Sequence, residues 1–170
     1  MASSFPALSH AGILIPGIKR QEAQFGRIYK ENCHKVYSLA FWMTDHEQIA
    51  EQIAANTFLR AFASGRAPSA EQLDQALLAE VRGVVAVGGL SLRCNISSVG
   101  VSLRRNIKRV HLERAVMQLP ATERLIFLLH DVEGYDQARI ARLLDISEED
   151  SQLGLHQARL RVRELVATLR

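Results

Sequence analysis

In a chain of 170 residues, a hydrophobic share of 48% argues against long disordered stretches and supplies enough apolar material for a core. The formal net charge of +3 and pI near 9.1 permit nucleic-acid binding without requiring it. Two cysteines, Cys33 and Cys94, are too far apart for a zinc-ligand spacing, and no apolar run reaches the ~20 residues of a membrane span.

Residues 1–20 lack a basic segment ahead of their short apolar patch, so they read as a loose arm rather than a secretory signal. A helical period begins at Glu22, with Phe25, Ile28, Tyr29, Cys33, Val36 and Ala40 on one face. His34 beside Cys33 invites a metal site, but adjacent helix positions point apart. A buried thiol next to a surface imidazole is the favoured reading. Thr44-Asp45 breaks the helix and offers an N-cap. A second helix follows, with Ala50, Ile53, Ala54, Thr57, Phe58, Ala61 and Phe62 on its inner side, and the short break predicts an antiparallel hairpin. The lone Trp42 falls in this hairpin, where core packing is its expected role.

Ser64-Gly65-Arg66-Ala67-Pro68 ends the second helix. Ser69 with Gln72 forms a capping box for a third, carried by Leu73, Ala76, Leu77 and Val81. From Gly83 to Ser102 no period is evident, and the segment reads as linker. A basic stretch, Arg104 to Arg109, closes it. Either it follows nucleic acid or it pairs with the acidic segment beyond it, for residues 119–150 carry three basic and eight acidic side chains.

The C-terminal part divides into four helices. The first runs from about Val110 to Leu119, and Pro120 opens the second as its first helical residue. The second buries Leu125, Ile126, Leu128 and Leu129 and ends near Glu133-Gly134. The third spans Tyr135 to Leu144, and after the turn Asp145-Ile146-Ser147 a fourth is capped by Ser147. Helix, tight turn and longer helix is the layout of a helix-turn-helix. Asp145 tolerates the left-handed conformation such a turn needs.

Two stretches together resemble one family. Leu119-Pro120, Arg124, Gly134-Tyr135, Ile140-Ala141, Leu143, Ile146-Ser147, Leu155-His156, Ala158-Arg159 and Arg163-Glu164-Leu165 are similar to the promoter-reading domain of small, two-domain bacterial sigma factors of the extracytoplasmic-function type. Tyr29, Val36-Tyr37, Leu39-Ala40, Ala50-Glu51 and Thr57 to Phe62 are similar to that family's polymerase-binding domain. The resemblance implies an all-α protein with a flexible arm over 1–20 and a polymerase-binding helical domain over 21–88. A basic linker over 89–109 and a four-helix domain with the helix-turn-helix over 110–170 complete it. It further implies core RNA polymerase and promoter DNA as partners, an anti-sigma protein as a further candidate partner and no catalysis. The cysteine usage and the absence of a membrane span read as a cytoplasmic protein without a metal or cofactor. The residues it assigns to polymerase docking are Glu51, Thr57, Phe58 and Arg60. Those left for DNA are Gln152, His156, Arg159, Arg161 and Arg163, since Gln reads adenine and Arg reads guanine or holds phosphate. A solvated basic face is the equal alternative for the arginines.

The contact residues depart from the family pattern on three surfaces. Gln52, Ala55 and Asn56 stand where the family carries charge or longer polar groups, which weakens docking. No Phe, Trp or Tyr lies between Phe62 and Phe127, where the family places aromatics on which melted bases stack. The recognition helix holds Asp150, Gln152 and Gly154 in place of Thr, Lys and Arg. Its acids favour the helix dipole but repel phosphate, and Gly154 costs about 1 kcal/mol of helix propensity relative to Ala. A sigma-like regulator or decoy that binds protein partners without reading promoters therefore stands as the alternative. A plain helix-turn-helix regulator with dimerising N-terminal helices is a third.

Overall fold

The computed structural model describes residues 16–91 and 108–168. The expected loose arm up to residue 15, Cys94 and the basic stretch from Arg93 to Ile107 lie outside them. Among the described residues there are seven α-helices and no strand, as the sequence predicts.

Helix α1 (Pro16–Thr44) is longer than its periodicity suggests: residues 16–20, read as arm, belong to the helix, which Pro16 opens without losing a bond. It ends at Asp45, whose φ of 54° is left-handed and whose N–H returns to the Phe41 carbonyl. Asp45 therefore terminates α1, and His46 rather than Thr44 or Asp45 is the N-cap of α2 (Glu47–Phe62). The two helices pack as the expected hairpin, with Phe25 stacked on Phe62 at 4.5 Å and Tyr29 edge-on to Phe58. Helix α3 (Ala70–Arg82) starts on the capping box predicted from Ser69 and Gln72, with both reciprocal bonds formed.

The C-terminal unit comprises α4 (Arg109–Met117), α5 (Ala121–Phe127), α6 (Gln137–Leu144) and α7 (Glu148–Thr168). Pro120 is the N-cap of α5, one residue before the helix rather than its first residue, because its ψ of 152° is extended. Helix α5 continues into a π-helical turn over Leu128–Val132, where Glu133 N–H bonds the Leu128 carbonyl, and Gly134 at φ 73° ends it. The extra residue in that turn rotates Asp131 and Tyr135 to the sides they occupy below.

The two halves are not separate bodies. Val36, Leu39 and Met43 of α1 and Leu77, Leu78 and Val81 of α3 share one buried cluster with Leu125, Leu129 and Leu143 of the C-terminal unit. Each such side chain contributes about 1.5–3 kcal/mol on burial. Polar contacts fix the register across this apolar seam. The Arg124 guanidinium donates to the carbonyls of Trp42 and Met43 at the end of α1 and to those of Met117 and Leu119 at the end of α4. Those of Trp42, Met43 and Met117 are among the last of their helices, which lack partners within the helix, and that of Leu119 follows just beyond α4. One cation thus closes two helix C-termini, and burial lowers its pKa without threatening its charge. Arg82 donates to the Leu144 carbonyl at 2.9 Å.

The first part of the linker is also held. Gly88 N–H bonds the Thr122 hydroxyl at 3.0 Å, and Ser91 N–H bonds the buried Glu123 carboxylate at 2.5 Å. Replacing Arg124 by Met is expected to lower stability by about 2–4 kcal/mol, because four carbonyls at a half-buried site lose their donor. A urea titration followed by circular dichroism measures this.

Candidate nucleic-acid interface

The helix-turn-helix consists of α6, the turn 145–147 and α7. Asp136 caps α6 by accepting from Arg139 N–H, so the helix begins at Gln137 and not at Tyr135. Asp145 adopts φ 58°, the left-handed cap expected of it, and its N–H bonds the Ala141 carbonyl. Ser147 accepts from Asp150 N–H at 2.9 Å, the N-cap the sequence predicts for α7. Across the angle between the helices, buried Ser151 donates to the Gln137 side chain at 2.6 Å.

Helix α7 buries Ser151, Gly154, Leu155, Ala158, Val162, Leu165 and Val166. At about 100° per residue, Gln152, His156, Arg159 and Arg163 then fall within one narrow stripe. All four are exposed. Arg161 does not join them: it lies on roughly the opposite side of the helix and pairs with Glu164 at 3.1 Å. Leu153 beside the stripe is an apolar side chain 47% exposed, which the sequence pattern did not single out. Glu148, Glu149 and Asp150 are exposed at the head of the helix, where they stabilise its dipole.

Arg159 is already engaged. Its guanidinium grips Asp131 of the π-helical turn with two bonds, Nε at 3.0 Å and a second nitrogen on the other oxygen, while His130 Nδ1 lies 2.9 Å from the same carboxylate. The bond from Arg159, and secondarily His130, holds the Asp131 carboxyl below the usual range against the opposing effect of burial.

Gly154 serves packing. A Cβ there would come within 2.7 Å of both the Ile126 Cδ1 and the Leu90 Cδ2. Its helix-propensity cost is therefore the condition for α7 to lie close to α5 with the linker residue Leu90 pressed between.

On the N-terminal hairpin the candidate docking residues separate. Glu51 is exposed, and Arg60 is exposed but bonded to Glu80 at 2.8 Å. Thr57 and Phe58 are corrected to core: Thr57 is inaccessible and bonds the Ile53 carbonyl, and Phe58 packs on Tyr29 and Phe62. The outward face instead carries Gln48, Glu51, Gln52, Ala55 and Leu59, the last 70% exposed. The signal was present, since Leu59 lies off the apolar period of α2. Trp42 is half-buried against the core, as expected. Cys33 is half-buried and His34 exposed, and among the described residues no group of three metal-binding side chains gathers. Nor is any described helix long and apolar enough to cross a membrane.

Residues 109–162 match the family model for sigma-70, region 4. The C-terminal unit is thus similar to sigma-70 region 4. Over 86% of this chain and 98% of the other, the fold superposes with a TM-score of 0.63 and 15% identity on the sigma factor RpoE of Bartonella quintana, solved in complex with the anti-sigma factor NepR. The chain thus shares its overall all-helical fold with that structure. Comparison with curated protein sequences gives no match.

Two outcomes follow for the region 4 domain. Gly154→Ala is expected to be neutral to destabilising by about 1 kcal/mol despite the gain in helix propensity, because overpacking costs about 1–3 kcal/mol. Leu90→Ala in the same chain should recover part of any loss, which thermal melts of the three variants decide. Asp131 is expected to titrate below the ordinary carboxylate range by carboxyl NMR and to move upward in Arg159→Gln. Its folded value lies below the unfolded one, so its stabilising contribution is complete above the unfolded value of about 4 and is lost as pH falls through the folded value.

Proposed function

We propose that this chain acts as a sigma factor, associating with core RNA polymerase and directing promoter-specific transcription initiation. The observation that carries the reading is the region 4 helix-turn-helix with the solvent-facing stripe of Gln152, His156 and Arg163, to which Arg159 adds once released from Asp131. A helix of this kind enters the major groove, where Gln pairs with adenine and Arg with guanine or phosphate. The exposed face of α2, centred on Glu51, Gln52 and Leu59, is the surface we assign to polymerase, with Thr57 and Phe58 supporting it from beneath. By analogy with the RpoE–NepR complex, an anti-sigma protein is a further partner.

A second reading, a sigma-like regulator or decoy that binds protein partners without reading promoters, is favoured by one observation. The head of α7 is acidic, and the arginine best placed in its stripe is neutralised by Asp131. Both readings are tested by mixing the purified chain with core polymerase, following co-elution, and transcribing genomic fragments. Co-elution with promoter-specific transcripts is the expected result. Co-elution without transcripts establishes the second reading, and failure to co-elute overturns both.

A further inference from the structure

Asp74 of α3 is almost completely buried, 5% exposed, and lies where the N-terminal helices meet the helix-turn-helix. Three donors converge on it. Lys35 Nζ of α1 is 3.0 Å from Oδ1, the Tyr135 hydroxyl donates at 2.9 Å, and the Arg139 guanidinium of α6 bonds Oδ2. Lys35 also donates to the Tyr135 oxygen, and the Arg139 Cζ lies over the Tyr135 ring, 3.8 Å from its centroid. Tyr135 and Arg139 belong to the C-terminal unit and Lys35 to the N-terminal helices, so the carboxylate joins the two halves.

The three donors are unequally free to leave. Lys35 and Asp74 are the more enclosed pair, whereas the Arg139 side chain is 34% exposed. If Arg139 departs, Asp74 keeps the Lys35 charge and the Tyr135 hydrogen bond. The severe penalty of an orphaned buried charge is thereby avoided. Arg139 is thus an exchangeable cation, one that can trade this carboxylate for another anion.

Its position defines which anion. Arg139 is the third residue of α6, the first helix of the helix-turn-helix, and the first helix of such a unit crosses the DNA backbone while the second enters the groove. Arg142, one turn further along the same helix, is exposed beside it, whereas Arg124 is committed to carbonyls and Arg159 to Asp131. We propose that Arg139 is a phosphate-binding residue of the helix-turn-helix that Asp74 withholds while the two halves are packed, so that DNA binding and the packed arrangement compete for one guanidinium. This inference rests on the reading of residues 109–162 as a DNA-binding domain. Competition for one group makes the coupling reciprocal: DNA weakens the packing by the factor by which packing weakens DNA binding.

The test uses the full chain and labelled double-stranded DNA of mixed sequence, with affinity measured by fluorescence anisotropy across a salt series. Asp74→Asn is expected to raise affinity about tenfold, within the usual range of coupling between sites. The slope of log affinity against log salt should steepen by about 0.9, the value for one added phosphate contact. Arg139→Gln should have little effect alone and should cancel the gain in the Asp74→Asn chain. If the unaltered chain binds DNA and Asp74→Asn binds with the same affinity and slope, the proposal is overturned while the DNA-binding reading stands. If neither binds at low salt, both are overturned. Should Asp74→Asn fail to fold by circular dichroism, the unaltered chain decides: the Arg139 Nε–H resonance must shift on adding DNA, and an unmoved signal refutes the exchange.

Discussion

The Arg124 guanidinium is the contact on which the arrangement of this molecule depends. Two helices of different halves end beside it with carbonyls that their own turns cannot satisfy, and a planar cation with several donors answers both at once. Were those carbonyls left to water, the ends of α1 and α4 would have no reason to meet. Held together, they bring Leu39 and Met43 against Leu125 and Leu129, and the apolar seam closes behind the polar clamp. Directional bonds set the geometry here, and non-directional burial supplies most of the stabilisation.

The seam is bordered by polar groups of different exchangeability. Arg124 and the Thr122 and Glu123 contacts to the linker involve backbone groups, whose alternatives on opening are only water. The Asp74 cluster consists of side chains, one of which projects toward solvent. A buried ion cluster adds little net stability over an apolar equivalent but breaks badly if a charge is stranded. The redundancy of donors on Asp74 removes that second property. The result is an interface held firmly at its centre and releasable at one edge.

The recognition helix reflects the same economy of charge. Its acidic first turn strengthens the helix, and its principal arginine is occupied by a carboxylate on the π-helical turn. What faces solvent is a short stripe of Gln152, His156 and Arg163 with Leu153 at its margin, which under the proposed function would suit base edges more than phosphate. In the proposed role, such a helix gains less from electrostatic attraction than a basic one does and depends more on what else holds the chain near DNA.

The local rules were legible in the sequence because they act between residues a few positions apart. The Ser69–Gln72 capping box, the left-handed Asp145, the Ser147 cap and the hairpin of α1 and α2 each follow from spacing and side-chain chemistry, and with them the helix-turn-helix and the all-α class. Where local signals conflicted, boundaries moved: Asp45 took the left-handed turn and ceded the cap to His46. Thr57 and Phe58 lie in the core, on the inner face that the apolar period of α2 already gave them and against the docking role that the family resemblance gave them. Tertiary structure decided that Arg161 parts from the stripe, because α7 presents a single face to its partners. It also gave Gly154 its purpose, reversing a reading based on propensity, since Leu90 is 64 positions away along the chain. The pairings of Arg124 with Trp42, Asp74 with Arg139 and Arg159 with Asp131 join residues 82, 65 and 28 positions apart. No periodicity encodes such distances; the packing of one helix on another creates them.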